Sequence, residues 1–240
     1  MRAGVSNGCY DPCWRKDPDL NPKYEAVLFD CDGVLVDSES ITNGVLRDML
    51  EEIGWKLTAA ECMRIFLGKA LKDEKAIIEA STGRPLTEEW LASFRARRNE
   101  QLELRVGPIP HAVEVVAELH ARFEGRIACA TGADRGKAEL QLRKCGLMQY
   151  FEGRLFSGHD LPRSKPAPDV YLAAASALGA DPKRCVVVED TTVGTTAGVA
   201  AGATVIGYSP PVPGHDGGAL LRAAGAAFVV EDLRQVRELL

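Results

Sequence analysis

Six short apolar runs, spaced along the chain and mostly separated by helical stretches, limit the fold more than any other feature. They occupy residues 26–29, 127–130, 154–156, 185–188, 204–206 and 227–229. Between the later runs, residues 111–122, 135–145, 169–178 and 195–201 carry apolar side chains at helical spacing. A short continuous apolar run suits a strand buried on both faces, and strands that alternate with helices give a parallel sheet covered on both sides. The expected class is therefore α/β, with a Rossmann-like doubly wound parallel sheet as its core.

The alternation breaks once. From Glu39 to Gly107 the pattern stays helical, with Gly54, Gly68 and Gly83 as punctuation and helices expected over 39–53, 59–66, 71–80 and 87–105. Each carries an apolar stripe, as Val45, Met49 and Ile53 do in the first. Residues 38–107 thus read as an all-helical domain inserted into a core made of 24–37 and 108–240. Residues 1–23, which mix Asn7, Pro12, Lys16, Asp17, Pro18 and Pro22 without an apolar run, read as a flexible tail.

The ends of the apolar runs carry the chemistry. Residues 27–38 read VLFDCDGVLVDS: an apolar strand stops at Asp30, Asp32 follows with only Cys31 between, and Gly33 permits a sharp turn. An isolated buried carboxylate is costly and two adjacent ones repel, so a divalent cation is the simplest partner. Hard cations such as Mg2+ take oxygen ligands and prefer sites shared with a phosphate. Cys31 should point away from its two neighbours and serve in packing.

In an open parallel sheet ligands bind beyond the carboxyl ends of the strands. Thr131 and Gly132 follow the second run and offer a hydroxyl and backbone amides at a helix start, although a threonine there could simply cap the helix. Lys165 precedes two prolines in SKPAPDVY, residues 164–171. The fourth run ends in Glu189 and Asp190, then Thr191, Thr192, Val193 and Gly194, a second strand terminated by paired acids.

Composition narrows the partners. A hydrophobic fraction of 46% and a charged fraction of 26% fit an ordinary soluble globular chain, and a net charge of −5 gives no support for nucleic-acid binding. Arg95, Arg97 and Arg98, the densest basic cluster, alternate with acids and read as a solvated helix face. No stretch approaches the roughly 18 apolar residues needed to cross a bilayer. Seven scattered cysteines form neither a disulfide framework nor a paired metal motif, which suits a reducing cytoplasm, and Cys9 and Cys13 have no further ligands nearby. His215, in the loop YSPPVPGHDGG, is expected to face solvent. A monomer or weak homodimer is expected.

These strings resemble the haloacid dehalogenase-like (HAD-like) hydrolase superfamily. Asp30-Cys31-Asp32-Gly33 is similar to its first motif and the run through Glu39 to the "GVLVDSE" of members with a helical cap inserted there. Thr131 resembles its second motif, Lys165 with Pro166, Pro168 and Tyr171 its third, and Glu189-Asp190 its fourth. The resemblance implies that Asp30 attacks phosphorus, that Asp32 protonates the leaving oxygen and later deprotonates water, and that Thr131, Gly132 and Lys165 hold the phosphoryl group. It implies Mg2+ held by Asp30, the Asp32 carbonyl and Asp190, with Glu189 as ligand or support, and an aspartate at 32 argues against dehalogenation.

The likeness extends to two activities. FSGHDLPRSKPAPD, residues 156–169, looks like small sugar-phosphate phosphatases, including those acting on 6-phosphogluconate. The core motifs also resemble β-phosphoglucomutase-like enzymes, but Leu71 stands about where these place an arginine after a cap glycine, leaving Lys69 or Lys72 as substitutes. Asn43, Lys69, Lys72 and His159 are the candidates for contact with a small phosphorylated metabolite. A regulator that only binds a phosphorylated ligand is the third reading, and no motif residue is missing to favour it.

Overall fold

In the computed structural model, residues 23–67, 69, 71–212 and 215–240 are described, Lys72 without its side chain. Residues 1–22 lie outside the described part, and with them most of the expected tail, Cys9 and Cys13; Gly68 lies outside it too. The elements in chain order are β1 (Ala26–Phe29), β2 (Val36–Asp37), α1 (Glu39–Glu52), α2 (Ala59–Phe66), α3 (Lys75–Thr82), α4 (Glu88–Arg105), β3 (Gly107–Pro108), α5 (Ala112–Arg122), β4 (Ile127–Thr131), α6 (Arg135–Lys144), α7 (Met148–Phe151) and β5 (Leu155–Ser157). They continue with α8 (Asp169–Ala177), β6 (Cys185–Glu189), α9 (Thr192–Ala200), β7 (Thr204–Tyr208), α10 (Gly218–Ala223), β8 (Phe228–Val230) and α11 (Arg234–Glu238).

Six strands form one sheet in the order β5-β4-β1-β6-β7-β8, and every neighbouring pair is parallel. The order reverses at β1, which makes the carboxyl ends of β1 and β6 the crevice of a doubly wound sheet. Side-chain alternation divides the core into two layers. Val27, Phe29, Ile127, Cys129, Val186 and Val188 pack with α5, α6 and α7 on one face. On the other, Ala26, Leu28, Ala128, Ala130 and Val187 meet α8 and α9. This two-sided burial is why the strands are apolar throughout rather than alternating.

The helices α1 to α4 lie between β2 and β3 in the chain and share an apolar cluster that includes Leu46, Met49, Leu50, Cys62, Phe66, Ile78, Leu91 and Phe94. Helix α2 starts where Thr58 and Glu61 form a reciprocal capping box, satisfying backbone donors at both residues. The chain leaves the core along β2 and returns along β3, which pair antiparallel with Val36 opposite Pro108 and Asp37 opposite Gly107. The crossings therefore stand side by side.

Three local expectations are corrected. The helix expected over 71–80 begins with a 3₁₀ turn, Leu71–Glu74, before α3. The helix expected from 195 starts at Thr192, because Thr191 caps it by accepting from the Gly194 N–H. Arg98 is not on a solvated face: it is buried where α4 meets α6, although Arg95 and Arg97 are exposed.

Candidate active site

The site forms where β1, β4 and β6 end and the four-helix insertion faces the sheet. A cavity of about 370 Å³ is lined by Asp30, Asp32, Thr131, Gly132, Lys165 and Glu189 from the strand ends, and by residues of α1, α2 and α4 opposite. The four strand-end motifs are thus brought to one place.

Lys165 is the fixed positive centre. Its Nζ donates to Asp30 Oδ1 at 2.5 Å and to Glu189 Oε1 at 2.6 Å, and lies 4.7 Å from the centre of the Tyr171 ring. Burial lowers its pKa, but the Asp30 and Glu189 carboxylates outweigh that and hold it well above the usual lysine value. Tyr171 donates its hydroxyl to the same Glu189 oxygen at 2.7 Å. The other Glu189 oxygen accepts from the Asp190 and Thr191 N–H groups at 3.0 and 3.2 Å and from the Thr191 hydroxyl at 3.1 Å. Both Glu189 oxygens are therefore already committed to protein donors, which suits an anchor for Lys165.

Asp190 is the opposite case. Its two carboxylate oxygens are buried and have no hydrogen-bond partner among the described residues. Burial above all, with Glu189, Asp30 and Glu39 adding repulsion, pushes it well above the carboxylate range. Oxygens of Asp30, Glu189 and Asp190 lie within 4.8 Å of one another. A buried acid without a donor, beside a second acid, is what a hard cation would satisfy, and the all-oxygen donor set fits Mg2+. Asp30 is pushed up to about 7, mainly by burial, with Lys165 pulling it down and Glu189 and Asp32 adding to the rise.

Asp32 is held differently. Its Oδ1 accepts from Lys137 Nζ at 2.7 Å, from Gln141 Nε2 at 2.9 Å and from the Ser38 hydroxyl. Burial raises its pKa, but the Lys137 ammonium and these hydrogen bonds prevail and hold it below the usual value. The surroundings of the two acids of the first motif therefore pull in opposite directions, toward the neutral form at Asp30 and toward the charged form at Asp32.

Two glycines make room for the carboxylates. Gly33 has φ +79°, and a side chain there would meet Asp190, whose Cγ lies 2.8 Å from the position of a Cβ. At Gly194 a Cβ would overlap the Glu189 carboxylate. Gly33→Ala is expected to cost about 1–3 kcal/mol through left-handed backbone strain and overpacking, read as a lower urea midpoint with an unchanged slope.

Among the remaining candidates, Thr131 is buried and its hydroxyl accepts from the Ala133 N–H at 3.0 Å. It does not cap α6; Asp134 does, accepting from the Lys137 N–H at 3.0 Å. Asn43 is buried in α1 and donates to the backbone and side chain of Glu39, each at 3.1 Å. Glu39 itself is pushed up to about 7, mainly by burial. Lys69 lines the cavity, is exposed and pairs with Glu74 at 3.3 Å. His159 lines the cavity from the turn after β5. Lys72 lies in the turn Leu71–Glu74, its side chain outside the described part.

His215 is corrected. Rather than facing solvent, its ring packs edge-on against Tyr208 with centroids 5.5 Å apart, and its Nε2 lies 2.9 Å from the Gly33 carbonyl oxygen. Lys137, Gln141 and Asp134 were not singled out from the sequence. The available signal was the i,i+4 placement of Lys137 and Gln141, which puts both on one face of α6.

Carboxylates gathered around a buried ammonium, with one acid left for a cation and perturbed ionisation throughout, equip a pocket for catalysis rather than passive binding. A family model described as haloacid dehalogenase-like hydrolase matches residues 24–202, and the chain belongs to that family. It is 30% identical over 184 residues to the 6-phosphogluconate phosphatase of Escherichia coli strain K12, covering 76% of this chain and 81% of that protein. A HAD-family hydrolase from Deinococcus radiodurans R1, solved with bound phosphate and sodium, is 35% identical with a TM-score of 0.72, covering 90% of this chain and 95% of that one. A Thermotoga maritima structure provisionally described as a β-phosphoglucomutase is 27% identical with a TM-score of 0.71, covering 90% of this chain and all (100%) of that one. The chain is a phosphoric monoester hydrolase of this family.

Proposed function

We propose that this enzyme is a Mg2+-dependent phosphatase that hydrolyses a small phosphorylated sugar through an aspartyl-phosphate on Asp30. The observation that carries the reading is the pairing of Asp30, held by Lys165, with Asp190, buried and without a donor, at the switch point of the sheet. The carboxylates of Asp30 and Asp190 and the backbone carbonyl of Asp32 would hold the cation, which supplies charge to draw in a phosphate and to stabilise its transfer.

The remaining steps belong to the chain's own residues. An oxygen of Asp30 bonds to phosphorus as the bond to the sugar oxygen breaks. Asp32, a carboxylate at rest, first takes up a proton with the incoming phosphate ester, gives it to that departing oxygen, and then takes one from the water that cleaves the aspartyl-phosphate. Lys165, Thr131 and Gly132 hold the phosphoryl oxygens, with Lys165 damping repulsion between the phosphate and Asp30. The helical insertion closes the cavity as a cap over residues 24–37 and 108–240 and excludes water, and its wall offers Asn43, Lys69 and, from the core, His159 to the sugar.

The kinship with a 6-phosphogluconate phosphatase supports a phosphorylated sugar or sugar acid as substrate. All five cysteines described are buried thiols, which supports work in the reducing cytoplasm. Among the described residues, no helix is long and apolar enough to cross a membrane. A panel of sugar phosphates, assayed for free phosphate with Mg2+ and with EDTA, tests the reading. Metal-dependent phosphate release from one or more of them is expected. Metal-independent turnover, no turnover on any ester, or conversion of one sugar phosphate to another without phosphate release would each reject it, the last in favour of a mutase.

A further inference from the structure

A chain of alternating charges runs from the helical insertion to Asp32. Arg98, on α4, donates from Nη2 to Asp134 Oδ2 at 3.0 Å, with side chains 7% and 29% exposed. Its Nε and Nη2 also meet the Asn99 side-chain oxygen at 3.1 and 2.9 Å, which fixes the plane of the guanidinium. Asp134 uses its other oxygen to cap α6 at the Lys137 N–H. From that first turn Lys137 reaches Asp32, joined one turn later by Gln141. The Lys137 and Asp32 side chains are only 7% and 13% exposed, so solvent screens their pairing little.

We propose that Arg98 is a positioning residue for Asp32. By docking on Asp134 it fixes the N-terminal turn of α6, from which Lys137 and Gln141 hold the Asp32 carboxylate in line for proton transfer. Asp32 is aligned only while α4 lies against α6, so the helical insertion sets the acid/base as well as covering the pocket. This inference rests on the assignment of Asp32 made above. Arg98 also lines the cavity, so the competing role is direct contact with substrate.

p-Nitrophenyl phosphate separates the two roles, because nitrophenolate leaves with its electron pair and needs no proton. With Mg2+ and enzyme in excess, nitrophenolate release reports attack by Asp30. Release of inorganic phosphate reports the second step, in which water bonds to phosphorus, Asp32 takes its proton and the bond to Asp30 breaks. Arg98→Ala is expected to leave the first rate within about threefold of wild type and to slow the second by roughly 10- to 100-fold, the scale of a misplaced catalytic group. Asp134→Asn keeps a side chain able to cap α6 but removes the charge facing Arg98, and the same split is expected. Arg98→Lys should recover most of the phosphate release.

Equal slowing of both steps by Arg98→Ala and Asp134→Asn would overturn the inference in favour of a purely structural role. So would a raised half-saturating concentration of p-nitrophenyl phosphate with unchanged phosphate release, which would mark substrate contact. Wild-type rates in both variants would also overturn it. A wild-type enzyme that releases no nitrophenolate would instead reject the phosphatase reading itself.

Discussion

Asp30→Asn is expected to stop turnover, by roughly 10⁴-fold or more, the scale seen when a covalent catalytic group is removed. The amide that replaces the carboxylate is a poor nucleophile, yet it keeps nearly the same shape and can still accept from Lys165. The acid-stable label that wild type should acquire from a phosphate ester should vanish with the activity. Asp32→Asn should behave otherwise, losing about 10²- to 10⁴-fold as for a missing general acid or base. It should still take up label from p-nitrophenyl phosphate, whose leaving group needs no proton, so that attack on phosphorus remains open. Mass spectrometry of acid-quenched enzyme reads both outcomes, and label persisting in Asp30→Asn would remove that residue as nucleophile.

Magnesium and protons are expected to compete for the site, with a large effect on stability. Asp30 in the metal-free protein is raised from 3.8 to about 7, so the folded state keeps a proton that the unfolded chain releases. The stability from that proton is fully present below pH 3.8 and is lost as pH rises through about 7. Asp190 shifts in the same direction. In EDTA the melting temperature should therefore fall as pH rises from about 5 toward about 7, a result of the shifts given above. With Mg2+ at about 100 times its dissociation constant the fold should gain about 2.7 kcal/mol, or roughly 5–10 °C for a chain this long. The apparent Mg2+ affinity should rise about tenfold per pH unit, below about pH 7, for each proton displaced. Thermal unfolding at several pH values, with EDTA and with Mg2+, checks both signs. Asp190→Asn should remove most of the Mg2+ response and, by replacing an unpartnered buried acid that must stay protonated to be tolerated there, leave the EDTA-treated protein at least as stable as wild type near neutral pH.

How much of this was legible varies with the range of the interaction involved. The apolar runs at 127–130 and 185–188 lie inside β4 and β6, because a strand buried on two faces must be apolar at every position. The acids at their ends stand out for the same reason, as charge where burial forbids it. The helices α7, α10 and α11, four to six residues long, left no clear sign. Such short helices have little stability of their own and form on surfaces supplied by the rest of the fold. The ladder of β2 and β3 is two residues long, too short for any period to show.

The charge network was hidden altogether. Lys137 and Gln141 meet Asp32 across 105 and 109 residues, and Arg98 meets Asp134 across 36. A lysine or arginine on a helix looks the same in sequence whether its face meets water or a carboxylate, so Arg98 reads as solvated although it is buried. The order of residues by itself determined the parallel sheet, the run of helices between β2 and β3 and the acids, threonine and lysine at the strand ends, since these follow from local periodicity and the cost of burying charge. Only the tertiary structure decided which acid is left without a donor, which is anchored and which is held charged, because ionisation depends on neighbours that folding brings from distant parts of the chain.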